Sequence, residues 1–296
     1  MTDPLFFLFM GLTVLSFGIH SALIVSFARR FDALVVATYR SLSLIVTMAP
    51  LLIFVSWEET LAITEHAWPI VLSAGIGSIA FTLSITGSRY LPIGVASSLR
   101  QTISVPVAIV IGMLFLQEFL TLAQILLLVG IGACAVWLTL LRSDQPHLDP
   151  KLASWGITLS VCAGVGSALA WYFFSVAARE LNPFVAAYFV EVGVGLFTLF
   201  YLVVLRVSRV HTSSLYMPLG TLRNIALVGM LTISGTAGYA LAVNYGPYPL
   251  ASGLMTGAIL IATVLAWFLF KERLRVLQVG LIILAAFLMF LVKTVS

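Results

Sequence analysis

Three charged side chains lie deep inside apolar stretches of this sequence, at Arg40, Arg100 and Glu191. A charge at bilayer depth costs about 2.5–3.5 kcal/mol on insertion scales, so it normally faces a bundle interior or water. A buried arginine can attract a carboxylate or form part of a gate, and a buried glutamate can bind and release a proton. We therefore predict gating or charge-coupling roles for these three residues.

Each of these charges also has a purely structural interpretation. Arg40 and Arg100 each lie about eight residues into an apolar run, so their side chains could extend to the headgroups or bond a helix end. For Arg100 this interpretation and a contact with a carboxylate both stay open, whereas for Arg40 we expect a structural or gating role. Glu191 could act in proton coupling, or it could pair with a neighbouring helix or face an outer vestibule.

A polar stripe runs along the first apolar segment, where Thr13, Ser16 and His20 recur at spacings of three and four. The second half of the chain has an equivalent stripe that ends at Trp171. Small residues on one face favour close helix packing, but large rings with polar tips do not, so we predict that His20 and Trp171 line a cavity. A packed core histidine is the alternative. The predicted solute contacts are His20, Trp171, Tyr39, Gln101, Tyr188, Tyr239, Ser16 and Ser84.

Long apolar segments must position these residues. Apolar residues make up 61% of the chain and charged residues 9%, with a mean hydropathy of +1.13, whereas soluble domains carry about a quarter charged residues. A spanning helix needs about 20 apolar residues. The composition therefore predicts an all-α integral membrane protein. Its ten predicted transmembrane helices lie near residues 5–28, 32–56, 68–90, 92–115, 120–141, 154–177, 183–205, 220–244, 247–270 and 275–293.

The basic residues between these segments predict the orientation in the membrane. Alternate loops collect eleven Lys and Arg residues on one side and two on the other, and the basic side faces the cytoplasm. The eleven are Arg29, Arg30, Arg89, Arg142, Lys151, Arg206, Arg209, Arg223, Lys271, Arg273 and Arg275, and the two are Arg179 and Lys293. This count places both termini on the outer, periplasmic side of a multi-pass inner-membrane protein. The first segment follows Asp3 and lacks a small-residue cleavage site, so we expect no cleaved signal peptide.

The two halves of the chain repeat each other. The stretches FLQEFLTLAQ and LFKERLRVLQ align Glu118 with Glu272, 154 residues apart, and an earlier alignment at an offset near 151 places Arg40 opposite Glu191. Because each half has an odd number of spans, the second half is expected to be inverted relative to the first. We predict two five-helix repeats, residues 1–147 and 148–296, around a central cavity. This architecture is typical of secondary transporters, whose solute site lies near the midplane.

The ten spans arranged as five plus five, the Glu after the fourth and ninth spans and the Arg early in the second resemble the drug/metabolite transporter (DMT) superfamily. Within it the chain is similar to the EamA-type bacterial metabolite exporters, and most of all to the YddG-like aromatic amino acid exporters. The resemblance covers the whole chain. It implies a basket-shaped bundle, alternating access and export of amino acids or related metabolites. Many relatives carry Trp-Gly in the first span where this chain has Phe17-Gly18, which weakens any inference about the solute from that span.

We therefore predict a secondary transporter for small, aromatic or hydrophobic amino acids or related metabolites. A cavity with aromatic walls and a few polar tips suits a flat solute with one zwitterionic end. A broader drug or neutral metabolite carrier, a channel and a membrane-embedded enzyme are the alternatives. We expect no enzymatic activity, cofactor, metal or nucleic-acid partner, and we expect a monomer in the bilayer. Cys134 and Cys162 lie in apolar runs and are predicted to be packing residues.

Overall fold

A computed structural model describes residues 3–28, 30–91, 93–140, 150–209, 213–270 and 276–295. The predicted boundary between the repeats, at residues 147 and 148, and the Glu272 motif lie outside these ranges. The described part is helical and contains no strand, as the composition predicts. The helices are α1 Pro4–Ala28, α2 Ala33–Thr47, α3 Trp57–Leu61, α4 Ala67–Tyr90, α5 Ile93–Ile111, α6 Leu122–Leu140, α7 Pro150–Glu180, α8 Pro183–Val207, α9 Leu219–Tyr245, α10 Tyr248–Leu254, α11 Gly257–Phe270 and α12 Val276–Thr294.

Polar residues at the breaks in the apolar pattern fix where helices begin. The Asp32 carboxylate accepts hydrogen bonds from the amides of Leu34 and Val35 and so caps α2. The Asn182 side chain accepts one from the amide of Phe184 and caps α8, with Pro183 at its first position. Such side chains satisfy amides that lack a partner within the helix.

Nine helical stretches in the described ranges are long and apolar enough to cross a membrane. The stretch 122–138 within α6 is also apolar but shorter. The chain is therefore a multi-pass, all-α membrane protein, and the tenth span stays a prediction.

Two of the spans are irregular. Helix α5 contains Pro106 and changes to a π-helical turn at Gly112–Leu116. The ninth span was expected to be one helix, but it divides into α10 and α11 around Met255 and Thr256. The two irregular spans, α5 and α10–α11, pack against each other.

Helices from the two halves of the chain interleave. The largest contacts join α4 to α7 and α1 to α9, followed by α5 to α7, α2 to α8 and α1 to α11. All of these pairs combine one helix from residues 1–147 with one from residues 148–296. The core therefore lies between the halves rather than within either one.

Both termini of the bundle lie at the same end. The ring of Phe6, near the start of α1, contacts Gly246 at the end of α9. Helix α12 runs antiparallel to α6, since Leu288 contacts Gly130 while Ala285 packs with Cys134 nearer the other end. We call this the terminal end of the bundle, and the end where α2 and α9 begin the opposite end.

Candidate functional site

Arg40 and Glu191 form an ion pair between α2 and α8. Arg40 Nη1 donates to Glu191 Oε2 at 2.9 Å, and both side chains are at least nine-tenths buried. The second terminal nitrogen of Arg40 donates to Thr232 Oγ1 at 2.8 Å, and Thr236 Oγ1 donates to Glu191 Oε1 at 2.8 Å. Each carboxylate oxygen and each terminal nitrogen of the pair thus has a partner. The pair balances its own charge inside the membrane-spanning region.

Neighbouring side chains hold the Arg40–Glu191 pair in position. The guanidinium lies over the ring of Phe81 on α4, 5.5 Å from its centroid, which adds a cation–π contact. Gly195 lets α8 approach α2 closely, because an added Cβ there would lie 3.1 Å from the carbonyl oxygen of Ser41. Three helices besides α2 therefore contribute to this contact.

Arg100 lies at a similar depth to Arg40, but its surroundings differ. Arg100 lies seven residues after the start of α5, and Arg40 lies seven residues after the start of α2. Both residues are therefore about 10 Å from the opposite end of the bundle. Arg100 Nη1 donates to Ser84 Oγ on α4 at 3.1 Å, and its buried Nε has no hydrogen-bond partner. No carboxylate pairs with Arg100 anywhere in the described ranges.

His20 and Gln101 add two buried polar side chains near this depth. His20 is 5% exposed, its Nε2 has no hydrogen-bond partner, and it lies within electrostatic range of both Arg40 and Arg100. Gln101 is also buried. Helices α1 and α5, which carry these residues, share no extended contact in the described part of the chain. Buried polar groups from two helices without extended mutual contact thus lie near the same depth.

Aromatic rings form a cluster on the terminal-end side of this region. The Trp171 ring lies 4.3 Å from Tyr239 and 5.6 Å from Phe174, measured between centroids, and 5.8 Å from Phe17 in an edge-on contact. Tyr239 is fully buried, whereas Trp171 and Phe17 are half-buried. Part of the ring surface of Trp171 and Phe17 therefore stays accessible, and Tyr239 packs against Trp171.

Two glycines set the helix spacing around these side chains. An added Cβ at Gly164 on α7 would lie 2.6 Å from the carbonyl oxygen of Arg100. One at Gly18 on α1 would lie 2.5 Å from Cβ of Ile261 on α11. Any larger residue at either position would push apart the helices that carry the site, in keeping with the role of small residues in membrane helix packing.

A second polar cluster, which we call the terminal-end cluster, joins the halves at the end that carries the termini. Glu118 Oε1 accepts from Arg179 Nη2 at 2.7 Å, and Glu118 Oε2 accepts from the amide of Tyr248 at 2.8 Å. Arg179 also donates to the carbonyl oxygens of Val243, at 2.8 Å, and Gly246, at 3.2 Å. The end of α7, the end of α9 and the start of α10 are thereby connected to the segment that follows α5.

Local backbone geometry presents Glu118 to its partners. Gln117 adopts a left-handed conformation with φ of 55° and ends the π-helical turn. An added Cβ on Gly112 would overlap Pro249 of α10, so this turn and α10 are in close contact. The Tyr248 hydroxyl donates to the carbonyl oxygen of Ala168 at 2.6 Å, and Tyr248 is fully buried. The terminal end is thus closed around α10.

Further polar contacts cover the surface of the terminal end. Glu59 caps the short helix α3 in a capping box with Ser56 and accepts a hydrogen bond from Asn182 at 3.0 Å. The bonds from Asn182 and Ser56 lower the pKa of Glu59, because they stabilise its ionised form. His66 lies 3.1 Å from Glu180. These contacts connect the segment between α2 and α4 to the end of α7.

The predicted site residues fall into two groups. His20, Arg100, Gln101, Ser84, Trp171 and Tyr239 belong to the polar and aromatic region described above. The others bond elsewhere in the protein: Ser16 Oγ to Ser234 Oγ at 2.8 Å, Tyr39 OH to Leu215 O at 3.1 Å, Tyr188 OH to Ile45 O at 3.2 Å, and Arg40 and Glu191 to each other. Arg40 Nε alone among these polar atoms is buried without a hydrogen-bond partner.

Sequence reasoning missed several members of these clusters. Phe174 was not singled out, and Arg179 was counted only as a loop charge, although it forms the centre of the terminal-end cluster. The repeat of Glu118 at residue 272 was a signal that Glu118 has a specific role. No sequence feature, however, indicated that its partner is Arg179.

Neither metal binding nor disulfide formation is supported by the described side chains. No three His, Cys, Asp or Glu side chains among them are close enough to hold a metal ion. Cys134 is buried against Leu260 and Ala285, and Cys162 is exposed on the outside of the bundle. Both thiols are free.

Comparison with known proteins identifies the fold but no family. No family model and no curated protein matches the sequence. A solved structure described only as "Crystal structure of protein" superimposes with a TM-score of 0.72, over 96% of this chain and 93% of that one, at 15% sequence identity. The chain therefore shares its overall fold with a protein of known structure.

Proposed function

We propose that this protein is a secondary transporter of the DMT superfamily, EamA type, that exports a small organic solute across the inner membrane. The proposed solute is an amino acid or related metabolite with a flat apolar group. Six buried side-chain polar atoms in the described ranges lack a hydrogen-bond partner, among them Arg40 Nε. The observation that carries this proposal is that two of the six, His20 Nε2 and Arg100 Nε, belong to neighbouring side chains on helices that share no extended contact. Unbonded polar atoms in a membrane interior are costly unless water or a ligand satisfies them.

The aromatic residues beside these polar groups suit the same kind of solute. Trp171 and Phe17 are half-buried and extend from helices of different halves. A wall of this kind with a few polar groups next to it is typical of binding sites for flat organic molecules. The solute ring would stack near Trp171, with its polar end towards Arg100 and His20.

The pattern of helix contacts supports the inverted repeat within this proposal. Exchanging the halves converts the contact of α4 with α7 into that of α1 with α9, and the contact of α5 with α7 into that of α1 with α11. Arg40 and Glu191, which the alignment at 151 residues makes equivalent, bond each other. A pair of equivalent residues in contact is expected where a pseudo-two-fold axis passes between the halves.

The terminal-end cluster supports alternating access. Glu118 belongs to the N-terminal half, and its partners Arg179 and Tyr248 belong to the C-terminal half. With the predicted orientation, this cluster closes the outer side of the cavity. Movement of one half against the other would break these bonds and open the site outward.

Solute counterflow in proteoliposomes tests the proposed function. We expect exchange of tryptophan and phenylalanine that saturates with concentration, and weaker exchange of threonine. His20→Ala and Trp171→Ala should each lower the rate while membrane insertion is retained. A channel or an enzyme should show no counterflow, so its absence for every solute contradicts the carrier proposal. If only a cationic dye exchanges, the protein is a drug carrier rather than an amino acid carrier.

A further inference from the structure

We infer from the charges around Arg100 that the site selects a monoanion: it prefers an aromatic carboxylate without an amino group to the corresponding amino acid, and excludes the corresponding amine. This inference rests on the proposed function. It goes further because it assigns a net charge to the bound solute, which the aromatic lining alone leaves open.

The described charged side chains of the membrane interior sum to one positive charge. Away from the helix ends, the described spans contain three charged side chains: Arg40, Glu191 and Arg100. Arg40 and Glu191 cancel each other at 2.9 Å. Arg100 remains as one positive charge, since arginine stays protonated in proteins. A solute with one negative charge would neutralise the site, and no other described side chain does so.

The ammonium group of an amino acid would need a partner in this site. Buried ammonium groups are stabilised by a carboxylate or by several hydrogen-bond acceptors. The acid nearest in depth, Glu191, uses Oε2 for Arg40 and Oε1 for Thr236. An ammonium on the carbon next to the solute carboxylate would therefore lie close to the Arg100 guanidinium. No free protein carboxylate among the described residues at this depth would balance its charge. Like charges in a low-dielectric site repel strongly.

The site offers several hydrogen-bond donors to a solute carboxylate. Arg100 uses Nη1 for Ser84, which leaves its buried Nε and the second terminal nitrogen without a protein acceptor among the described residues. A guanidinium offers parallel donors that match the two oxygens of a carboxylate. His20 Nε2 also lacks a partner, and a neutral imidazole can donate one further hydrogen bond. All of these free groups can act as donors to an anion.

Three ligands that share a phenyl ring and differ in charge test the inference. They are 3-phenylpropionate, phenylalanine and phenethylamine, which carry net charges of −1, 0 and +1 at neutral pH. Affinity for the purified protein in detergent is measured by calorimetry, which avoids passive leak of the acid through lipid. We expect 3-phenylpropionate to bind about tenfold or more tighter than phenylalanine, in line with the strength of charge-assisted hydrogen bonds. Phenethylamine should not bind.

Two variants of Arg100 test whether its charge causes the preference for the anion. Arg100→Met should remove the preference for the anion, whereas Arg100→Lys, which retains the charge, should keep it in weaker form; size-exclusion profiles check that both are folded. Equal or tighter binding of phenylalanine in the wild-type protein overturns the inference and leaves the carrier proposal intact. An anion preference that survives in Arg100→Met also overturns it. If none of the three ligands binds and none shows counterflow, both proposals fail.

Discussion

Arg40 and Arg100 are two arginines at the same depth in the membrane, yet they have opposite surroundings. Arg40 faces Glu191, Thr232 and a phenyl ring, and its charge is cancelled by a carboxylate 2.9 Å away. Arg100 bonds only the hydroxyl of Ser84 and has no counter-charge among the described residues. The same residue type is thus paired with a carboxylate in one place and left without a counter-charge from the described residues in the other.

The comparison shows that depth in the membrane does not determine what a charge does. Both arginines carry the insertion cost of a buried cation, but the protein offsets that cost only for Arg40. A buried group whose partners come from the protein contributes to stability. A buried group that lacks such partners requires water or a solute, and its loss should affect transport.

Replacement of Glu191 by Ala should give the largest effect on stability. It leaves Arg40 buried without its counter-charge, which lowers the free energy of unfolding by about 3–5 kcal/mol for pairs of this kind. Thermal melting in detergent, followed by circular dichroism, measures the loss. The double variant Arg40→Met, Glu191→Met is the matched control and should recover most of it. A Glu191→Ala protein as stable as wild type would show that the pair has no structural role.

Replacement of Arg100 by Met should raise the KM and leave the stability nearly unchanged, the reverse of what we expect for Glu191→Ala. We expect the KM for counterflow of a carboxylate solute to rise about tenfold or more, since hydrogen bonds to charged groups contribute about 1.5–3 kcal/mol. Stability should change little, because no carboxylate loses its partner. The same melting experiment checks stability and counterflow checks KM. A large loss of stability with unchanged KM would reverse the assignment of the two arginines.

The part of the architecture that is confirmed, the all-α membrane class, was predictable because it depends on local composition. Apolar runs separated by Asp, Asn, Pro and Arg predicted an all-α membrane protein, and the capping residues Asp32 and Asn182 are where the pattern breaks. The division of the ninth span was not predicted. No proline marks it, and the break at Met255 and Thr256 depends on packing around α10.

The site was predictable only in part. A polar stripe at helical spacing indicated His20 and Trp171, and a position deep inside an apolar run indicated Arg100. Each of these signals is contained in a single segment of the sequence. Which polar atoms are bonded depends on neighbouring helices that are far apart in the chain. The hydroxyls of Tyr39 and Tyr188 bond carbonyl oxygens 176 and 143 residues away, and no periodicity reveals such partners.

The terminal-end cluster extends the comparison to an ion pair at the membrane edge. Arg179 and Glu118 are more exposed than Arg40 and Glu191, so Glu118→Ala should destabilise the protein less than Glu191→Ala. It should nevertheless weaken the closure, because both Arg179 and the amide of Tyr248 lose an acceptor. Glu118→Gln, which keeps one acceptor oxygen, is the matched control.

Thiol labelling measures this closure. Ser252 on α10 is 3% exposed, and Ser252→Cys in a background without Cys134 and Cys162 reports access from the terminal end of the bundle. We expect Glu118→Ala to raise the labelling rate by an impermeant maleimide about tenfold or more, because the variant loses both hydrogen bonds to the Glu118 carboxylate. The increase in Glu118→Gln should be smaller. Equal labelling in all three proteins would mean that the cluster does not control access.

The smallest effects are expected where a polar side chain is satisfied by the protein and carries no charge. Tyr39→Phe and Tyr188→Phe each remove one hydrogen bond to a backbone carbonyl oxygen, and such bonds between membrane helices contribute about 0.6 kcal/mol on average. Each hydroxyl uses its only hydrogen-bond donor within the protein, although the sequence predicted both tyrosines as solute contacts. Counterflow should therefore keep its wild-type KM in both variants, while His20→Ala, which removes an unbonded ring nitrogen, should change it. A raised KM in Tyr39→Phe or Tyr188→Phe, with unchanged melting, would show that bonding within the protein does not separate structural residues from binding residues in this fold.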